Sequence, residues 1–269
     1  MPELPEVELC RRDLEAVLPG RCVEAFTCTQ AGIVRQPVRD VAGFAAAVIG
    51  RVVADVERRG KRLLLRLDDG GVVTVGFGLW AKLELLGAPL EDVRGAQFEL
   101  GAEGDAARTW LAFTEIALAN LSHGPYELQG GPPPYDALDG RLDAAVLARL
   151  APARSAAKAF VTDDRFVLGV GNGYSDELLW QARVHPRRLS GSLTGEEWAA
   201  VAVALRAVLT AAIAAGGEQG FVSPSGAVGT YERRIHHHGG EPCPRCGAAL
   251  GSLMAGKRET NFCPVCQPP

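Results

Sequence analysis

Two pairs of cysteines near the end of the chain place the strongest constraint on its fold. Cys243 and Cys246 are separated by two residues, as are Cys263 and Cys266, and 16 residues lie between the pairs. Four thiolates at this spacing close a tetrahedral zinc site. Because four protein ligands leave no open coordination position, the sequence predicts one structural zinc ion.

The residues around these cysteines extend the prediction. The zinc would fold a two-stranded finger whose tip carries Lys257 and Arg258. Three consecutive histidines, residues 236–238, stand just before the first pair. Since four cysteines already complete the site, we interpret these histidines as loop or phosphate-facing residues.

The other three cysteines do not form a framework. Cys10, Cys22 and Cys28 are odd in number, which disfavours a set of disulfides. Cys10 lies on an apolar helix stripe, so we expect a small core residue there.

The N-terminus carries the second distinctive feature. Removal of Met1 would leave Pro2 as the amino terminus. An α-amine titrates near pH ~8, far below a lysine at ~10.4, so part of it is unprotonated at neutral pH. Such an amine can attack an electrophilic sugar carbon and form a Schiff base, with Glu3 close enough to transfer protons. Residues 2–5 also suit an ordinary start to a buried helix, and local chemistry leaves that alternative open.

A helix is predicted from Pro5 onward. Proline suits the first helical turn, and Glu6 and Glu8 complement the helix dipole. Apolar residues recur at helical spacing as far as residue 18, and residues 18–20 (LPG) end the helix.

Composition describes a soluble protein with room for two domains and a small appendage. The chain has 269 residues, 47% of them hydrophobic and 22% charged. No apolar run approaches the ~18 residues of a membrane span, and a signal peptide is absent, so we expect a cytoplasmic protein. The net charge is −4, although residues 152–269 contain 12 Lys and Arg against 10 Asp and Glu. A basic face would therefore have to be assembled by folding.

The first half reads as β-structure. Alternating apolar residues mark strands near 20–30, 48–57, 61–67, 72–77, 82–86, 97–100 and 109–113, and residues 68–71 (DDGG) mark a hairpin turn. Gly76 and Gly78 indicate a bulge or a close backbone approach. We predict an antiparallel sandwich that carries the N-terminal helix.

The second half reads as helical. Residues 129–134 (QGGPPP) form a linker, and helices follow at 142–150, 155–161, 175–183 and 194–215. Thr194 and Glu197 form a capping box for the last helix.

A glycine-rich segment, residues 170–175 (VGNGYS), lies before the third of these helices. Its backbone N–H groups and Asn172 would stand at a helix N-terminus, where an anion binds readily. Lys158 on the preceding helix would favour a phosphate. A simple turn explains the glycines equally well.

Together these motifs resemble the formamidopyrimidine-DNA glycosylase / endonuclease VIII family of base-excision repair enzymes. The resemblance covers nearly the whole chain and rests on four segments in order: residues 2–8 (PELPEVE), 58–61 (RRGK), 170–177 (VGNGYSDE) and 258–267 (RETNFCPVCQ). The third is similar to the helix–two-turns–helix signature of that family, and the fourth to its finger.

The resemblance implies a role for each catalytic residue. Pro2 would be the nucleophile at C1′ of a flipped-out damaged nucleotide, and Glu3 the acid/base. Glu6 would support this end of the helix. Lys61 would contact the phosphate beside the lesion and assist catalysis.

The resemblance also implies a grip on the DNA backbone. Asn172 and Arg258 would clamp the phosphates that flank the flipped nucleotide, and Lys158 would add to that grip. Flipping costs a few kcal/mol of stacking, so the backbone must be held on both sides. Such contacts fix position without reading sequence.

The departures from the family concern lesion probing. Residues 76–80 (GFGLW) replace a histidine-containing turn with a methionine wedge, and Leu79 or Trp80 could fill the vacated stack. Residues 115–120 (EIALAN) replace an Arg-Arg-Phe-Gly segment that reads the opposite base. Residues 235–240 replace a Tyr-Gly-Arg stretch, and the loop at 216–225 is short for a base-capping lid. We expect altered damage preference or weak opposite-base discrimination before loss of catalysis.

The sequence thus predicts an α+β multidomain protein. Its predicted parts are an N-terminal β-sandwich catalytic domain (1–128), a linker (129–137), a helix–two-turns–helix domain (138–226) and a zinc finger (227–269). DNA would lie between the domains.

The predicted function is a bifunctional DNA glycosylase/AP lyase with one structural zinc ion. We expect it to act as a monomer on damaged double-stranded DNA in the bacterial cytoplasm or nucleoid, without a membrane. A non-catalytic binder of damaged DNA and a zinc-ribbon module that docks protein or RNA are the alternatives.

Overall fold

The computed structural model describes residues 2–36, 39–79, 81–102, 105–125, 135–255 and 258–269. Trp80, Lys257 and the linker residues 129–134 lie outside these ranges. The chain divides into two units, Met1–Pro132 with Gln219–Thr230 and Pro133–Glu218 with Tyr231–Pro269. The domain boundaries given above remain predictions.

The first unit begins with helix α1, Leu4–Glu15. Its buried stripe includes Val7, Cys10 and Leu14, which belong to the face that the sequence pattern selects. The predicted helix is confirmed, although it ends before the LPG segment.

Two sheets complete the first unit. Their strand orders are β1-β7-β8-β6 and β2-β9-β5-β4-β3. Side chains from both sheets and from α1 share one apolar core, as a sandwich requires. The strands are β1 Cys22–Cys28, β2 Val34–Gln36, β3 Val53–Arg59, β4 Arg62–Leu67, β5 Gly71–Gly76, β6 Lys82–Leu86, β7 Gly95–Ala102, β8 Asp105–Thr114 and β9 Asn120–Pro125.

The predicted sandwich is confirmed with two additions. Strand β2 pairs with β9 in parallel, whereas the other pairings within these sheets are antiparallel. Helix α2, Val41–Val48, was not predicted. Asp40 caps it by accepting a hydrogen bond from the Gly43 N–H at 2.7 Å, a signal present in the sequence.

A segment late in the chain also belongs to the first unit. Residues Gln219–Thr230 return to it, and Asp13 of α1 holds them. The Asp13 carboxylate accepts hydrogen bonds from the hydroxyls of Ser223 and Ser225, both at 2.6 Å. The loop predicted to be short for a lid is therefore anchored to α1.

The described residues of the second unit form four α-helices: α3 Ala144–Leu150, α4 Ala157–Val161, α5 Asn172–Gln181 and α6 Gly195–Ala214. Each prediction agrees to within three residues. Because α5 starts at Asn172, this residue lies in its first turn. An unpredicted parallel pair, β10 Tyr135–Asp136 and β11 Val167–Leu168, lies among the helices.

Helix α6 is long and apolar enough to cross a membrane, contrary to the expectation from the sequence. Trp198, Leu205 and Leu209 are buried, and Trp198 packs edge-to-face on Phe160 at 5.6 Å. The predicted capping box is present: the Thr194 N–H donates to Glu197 Oε2 at 2.8 Å. These contacts are those of a core helix.

The chain ends in the predicted finger. Strands β12, Gly251–Ala255, and β13, Arg258–Phe262, pair antiparallel. The cysteine pairs lie before β12 and after β13, so the strands bring them together.

Candidate active site and metal centre

Helix α1 places two of the predicted catalytic residues side by side. Pro2 is half-buried, and Glu3 is the N-cap with 2% of its surface exposed. The Glu3 N–H donates to Glu6 Oε2 at 2.9 Å as part of a capping box, which fixes the direction in which the chain enters the helix. Met1 lies outside the described residues. Glu6 therefore holds the backbone of Glu3 at the start of the helix through a hydrogen bond.

An ion-pair network connects α1 to the β3–β4 turn that carries Lys61. Arg58 Nε donates to Glu8 Oε2 at 3.0 Å, and Arg58 Nη1 donates to the Gly60 carbonyl at 3.1 Å. Glu8 also pairs with Arg11 and Arg12. Because the Glu8–Arg58 pair is largely shielded from solvent, it holds the turn against the helix that begins near Pro2.

The same network depresses the pKa of Glu8. Burial of the carboxyl opposes ionisation, but hydrogen bonds from Arg11, Arg58 and Arg12 outweigh it and lower the pKa from 4.5 to about 2. A carboxyl with a depressed pKa stabilises the fold above its unfolded pKa and loses that contribution as the pH falls through the folded value.

Glu8→Gln is therefore expected to lower the free energy of unfolding by about 1–2 kcal/mol near neutral pH. The full shift would correspond to about 3 kcal/mol, and the solvent exposure of Arg12 reduces it. The difference from wild type should shrink as the pH falls from about 4.5 toward 2 in urea titrations. Glu91→Gln, which changes an exposed carboxyl outside this network, is the matched control. A difference that does not depend on pH would contradict the assignment.

Leu79 lies on the turn after β5, with 41% of its surface exposed. Its N–H donates to the Ala117 carbonyl at 3.0 Å, so two loops meet here. Gly78 has φ +58°, and a Cβ on it would lie 2.4 Å from the Ala117 oxygen. The close approach predicted for Gly78 is confirmed, and only glycine fits there.

The second loop presents a residue that sequence reasoning missed. Leu118 is 71% exposed and adopts φ +60°, a conformation that is costly for a leucine. Its neighbours Ile116 and Ala119 are buried. A lone leucine between two alanines, in a segment already recognised as divergent, was the available signal. Leu79 and Leu118 together form what we call the leucine pair.

In the second unit, Asn172 connects α5 to the finger. Its Nδ2 donates to the Glu259 carbonyl of β13 at 3.0 Å, while its Oδ1 is buried without a hydrogen-bond partner among the described residues. Arg258 begins β13 and is exposed. The described residues offer no carboxylate within ion-pair distance of its guanidinium. Asn172 and Arg258, the two residues predicted to clamp phosphates, therefore lie on α5 and β13, which this hydrogen bond joins.

Lys158, which was predicted to contact a phosphate, is buried beside a carboxylate. It is 3% exposed, and its Nζ lies 2.5 Å from Asp176 Oδ1 and 3.4 Å from the Asn172 carbonyl. Its charge is thus largely neutralised by a buried carboxylate. A direct grip on phosphate by Lys158 remains a prediction, and the contacts favour a role in holding α4 against the start of α5.

Asp176 and Glu177 of α5 also fix the position of residues 234–236, which precede the finger. Asp176 Oδ2 lies 2.6 Å from His236 Nδ1 and accepts the Asn261 N–H at 3.1 Å. Glu177 accepts the backbone N–H groups of residues 234–236, each at 3.0 Å. His236 is 4% exposed and lies in a turn, so the first of the three histidines is a loop residue, as predicted, but its side chain is buried and structural.

The four predicted ligands converge. The sulfur atoms of Cys243, Cys246, Cys263 and Cys266 all lie within 4.8 Å of one another. Tetrahedral Zn–S bonds of about 2.3 Å place sulfurs about 3.8 Å apart, so a zinc ion fits. Trp180 of α5 donates its indole N–H to Cys243 Sγ at 3.4 Å. Burial raises the pKa of Cys243, but hydrogen bonds from backbone N–H groups and from the Trp180 indole outweigh it and lower the pKa from 9.0 to about 6, which suits a thiolate ligand.

The chain is similar to known proteins over its whole length. Three family profiles match in order: the formamidopyrimidine-DNA glycosylase N-terminal domain at residues 1–116, its H2TH domain at 134–222, and the zinc finger found in FPG and IleRS at 240–269. A formamidopyrimidine-DNA glycosylase of Halorhodospira halophila is 37% identical, with 99% of this chain and all of that protein covered. The chain belongs to the formamidopyrimidine-DNA glycosylase family.

Further relatives agree with this assignment. The formamidopyrimidine-DNA glycosylase of a Nocardioides strain is 34% identical over all of this chain and 95% of its own length. The structure of Lactococcus lactis Fpg in complex with DNA containing an abasic site matches with a TM-score of 0.86 and 25% identity, covering both chains completely. A second complex of that enzyme, with N7-benzyl-Fapy-dG DNA, matches equally well at 26% identity.

Membership of the formamidopyrimidine-DNA glycosylase family confirms the predicted fold class, the single structural zinc and DNA as the partner. It identifies the chain as a DNA glycosylase of base-excision repair with AP lyase activity. None of the relatives named above favours the non-catalytic alternative. The roles of individual residues remain to be argued from the geometry.

Proposed function

We propose that this chain removes a damaged base through an amine on Pro2 and then cleaves the DNA strand by elimination. The observation that carries the proposal is the position of Pro2 and Glu3 at the start of a helix whose N-terminus is fixed by Glu6. An amine and a carboxyl are thereby adjacent, with the positive end of the helix dipole favouring an approaching phosphate.

The chemistry balances with these two groups. After Met1 is removed, the Pro2 nitrogen bonds to C1′ while the bond from C1′ to the base breaks, and the base leaves with a proton. Glu3 supplies or accepts protons as the sugar ring opens to the iminium. Loss of a C2′ proton then breaks the C3′–O bond and releases the 3′ phosphate, and loss of a C4′ proton breaks the C5′–O bond and releases the 5′ phosphate. Water hydrolyses the remaining imine and frees the Pro2 amine for another turnover.

The remaining predicted residues hold the substrate. Lys61 lies on the turn that Arg58 ties to α1, which suits a contact with the phosphate beside the lesion. Asn172 and Arg258 hold the flanking phosphates from α5 and β13. The partner is damaged double-stranded DNA, bound by a single copy of the chain in the bacterial cytoplasm or nucleoid. Bacterial relatives of similar length support this placement.

The leucine pair fills the space left by the flipped nucleotide without selecting the opposite base. A gap left by a flipped nucleotide can be filled by apolar side chains, and exposed Leu79 and Leu118 lie on loops that contact each other. Leucine offers no hydrogen bond to the orphaned base, so it cannot distinguish the four bases by donor and acceptor pattern. The enzyme should therefore tolerate any opposite base.

This proposal is tested by multiple-turnover nicking of lesion duplexes with each of the four opposite bases. Wild type should turn over with rates that differ by less than about threefold between opposite bases. Leu79→Ala and Leu118→Ala should each lower kcat/KM by about tenfold, since each loses apolar contact worth about 1.4 kcal/mol. Leu189→Ala, an exposed leucine of the second unit, is the control.

Two results would contradict the proposal. Binding without turnover at high enzyme concentration would favour the non-catalytic alternative. A strong preference for one opposite base that survives both leucine substitutions would show that another residue reads the orphaned base.

A further inference from the structure

A cavity of about 610 Å³ opens in the second unit between α4, the segment after α5 and the finger. Lys158 and Thr162 line it from the α4 side, Pro186 and Arg187 from the segment, and Arg258 from the finger. The other lining residues are Ala156, Ala159, Asp163, Asp164, Met254 and Ala255. Of the lining residues, Lys158 and Arg258 have the roles proposed for them in DNA binding.

Hydrogen bonds of its backbone and one hydrogen bond of its side chain fix Arg187 in the lining of the cavity. The Lys158 N–H donates to the Pro186 carbonyl at 3.1 Å, and the Arg187 N–H donates to His185 Nδ1 at 3.1 Å. Arg187 Nη2 donates to the Met254 carbonyl of β12 at 3.1 Å. A guanidinium has five N–H donors, and the described residues accept from one of them.

The lining of the cavity carries three basic and two acidic side chains, a net charge of +1. Lys158 is paired with Asp176, and Asp163 is paired with Arg165 at 2.6 Å. Asp164 accepts the Gly169 N–H at 3.4 Å. Within the described part of the chain, neither Arg187 nor Arg258 lies within ion-pair distance of a carboxylate. Two exposed guanidinium groups on one cavity, without acidic partners, complement a phosphodiester.

We infer that Arg187 binds a DNA backbone phosphate in this cavity, next to the phosphate held by Arg258. The inference rests on the proposed function, because it extends the same grip on DNA. Arg187 contacts no base or sugar atom in this scheme. It adds affinity without regard to sequence or lesion, since backbone contacts carry no sequence information.

Salt dependence of binding tests the inference. The full-length protein is titrated with a short duplex that contains a tetrahydrofuran abasic analogue, at several NaCl concentrations. Each neutralised phosphate contributes about 0.9 to the slope of log K against log salt. Arg187→Ala should lower that slope by about one and weaken binding about tenfold near 0.1 M salt. The same fold loss is expected on undamaged duplex.

Two further variants separate phosphate binding from a structural effect. Arg187→Lys should retain the slope but bind more weakly than wild type, because lysine lacks the planar fork. Arg149→Ala removes an exposed arginine from α3, away from the cavity, and should leave slope and affinity unchanged. An unchanged slope in Arg187→Ala, or a change equal to that of Arg149→Ala, would overturn the inference.

Failure of the inference differs from failure of the proposed function. Borohydride trapping of wild type on an abasic duplex reports on the Pro2 amine alone. Absence of an adduct would refute the proposed chemistry while the comparison of salt slopes still decides the role of Arg187.

Discussion

Replacing Glu3 with glutamine is expected to lower excision of a damaged base by about a thousandfold. The same change should lower strand cleavage at a pre-formed abasic site by less than about tenfold. Loss of a base needs proton transfer as the ring opens, whereas an abasic site already presents an aldehyde to the Pro2 amine. Glutamine keeps the size of Glu3 and an oxygen acceptor, so the buried N-cap is preserved.

Single-turnover rates on the two substrates measure this split. Glu15→Gln, at the other end of α1, should leave both rates unchanged. Equal losses on the two substrates would indicate a damaged fold, and an unchanged excision rate would remove Glu3 from the reaction.

Loss of the zinc ion is expected to have the largest effect on folding and DNA binding. Structural zinc contributes about 10–16 kcal/mol in small fingers, so Cys263→Ser or chelation should unfold β12 and β13. The finger holds Arg258 and accepts the Asn172 side chain. DNA affinity should therefore fall by at least about a hundredfold, because two phosphate contacts are lost together.

The zinc content and the affinity are measured on the same preparations. Wild type should contain one zinc ion per chain, and Cys28→Ser should retain it because Cys28 lies outside the cluster. A Cys263→Ser protein that binds DNA with wild-type affinity would contradict the predicted link between the finger and the phosphate clamp.

Features governed by local chemistry could be predicted from the sequence. The spacing of Cys243, Cys246, Cys263 and Cys266 predicts a metal site whatever the rest of the fold. The capping box at Thr194 and the turn after β4 depend on residues only a few positions apart. Such signals need no tertiary information.

Features decided by distant partners could not be predicted. Lys158 reads as an exposed cation, but Asp176, 18 residues later, buries and neutralises it. His236 is buried by the same carboxylate from 60 residues away. The parallel pairing of β2 with β9 and the exposure of Leu118 likewise depend on how the sheets close.

The central claim is that the Pro2 nitrogen forms the bond to C1′, and mass spectrometry of the trapped adduct tests it most directly. Wild-type protein is reduced with borohydride on an abasic duplex, digested, and the modified peptide is sequenced. The proposed mechanism predicts an N-terminal peptide that lacks Met1 and carries the reduced sugar on Pro2. A sugar on a lysine side chain, or an adduct on a chain that retains Met1, would contradict it.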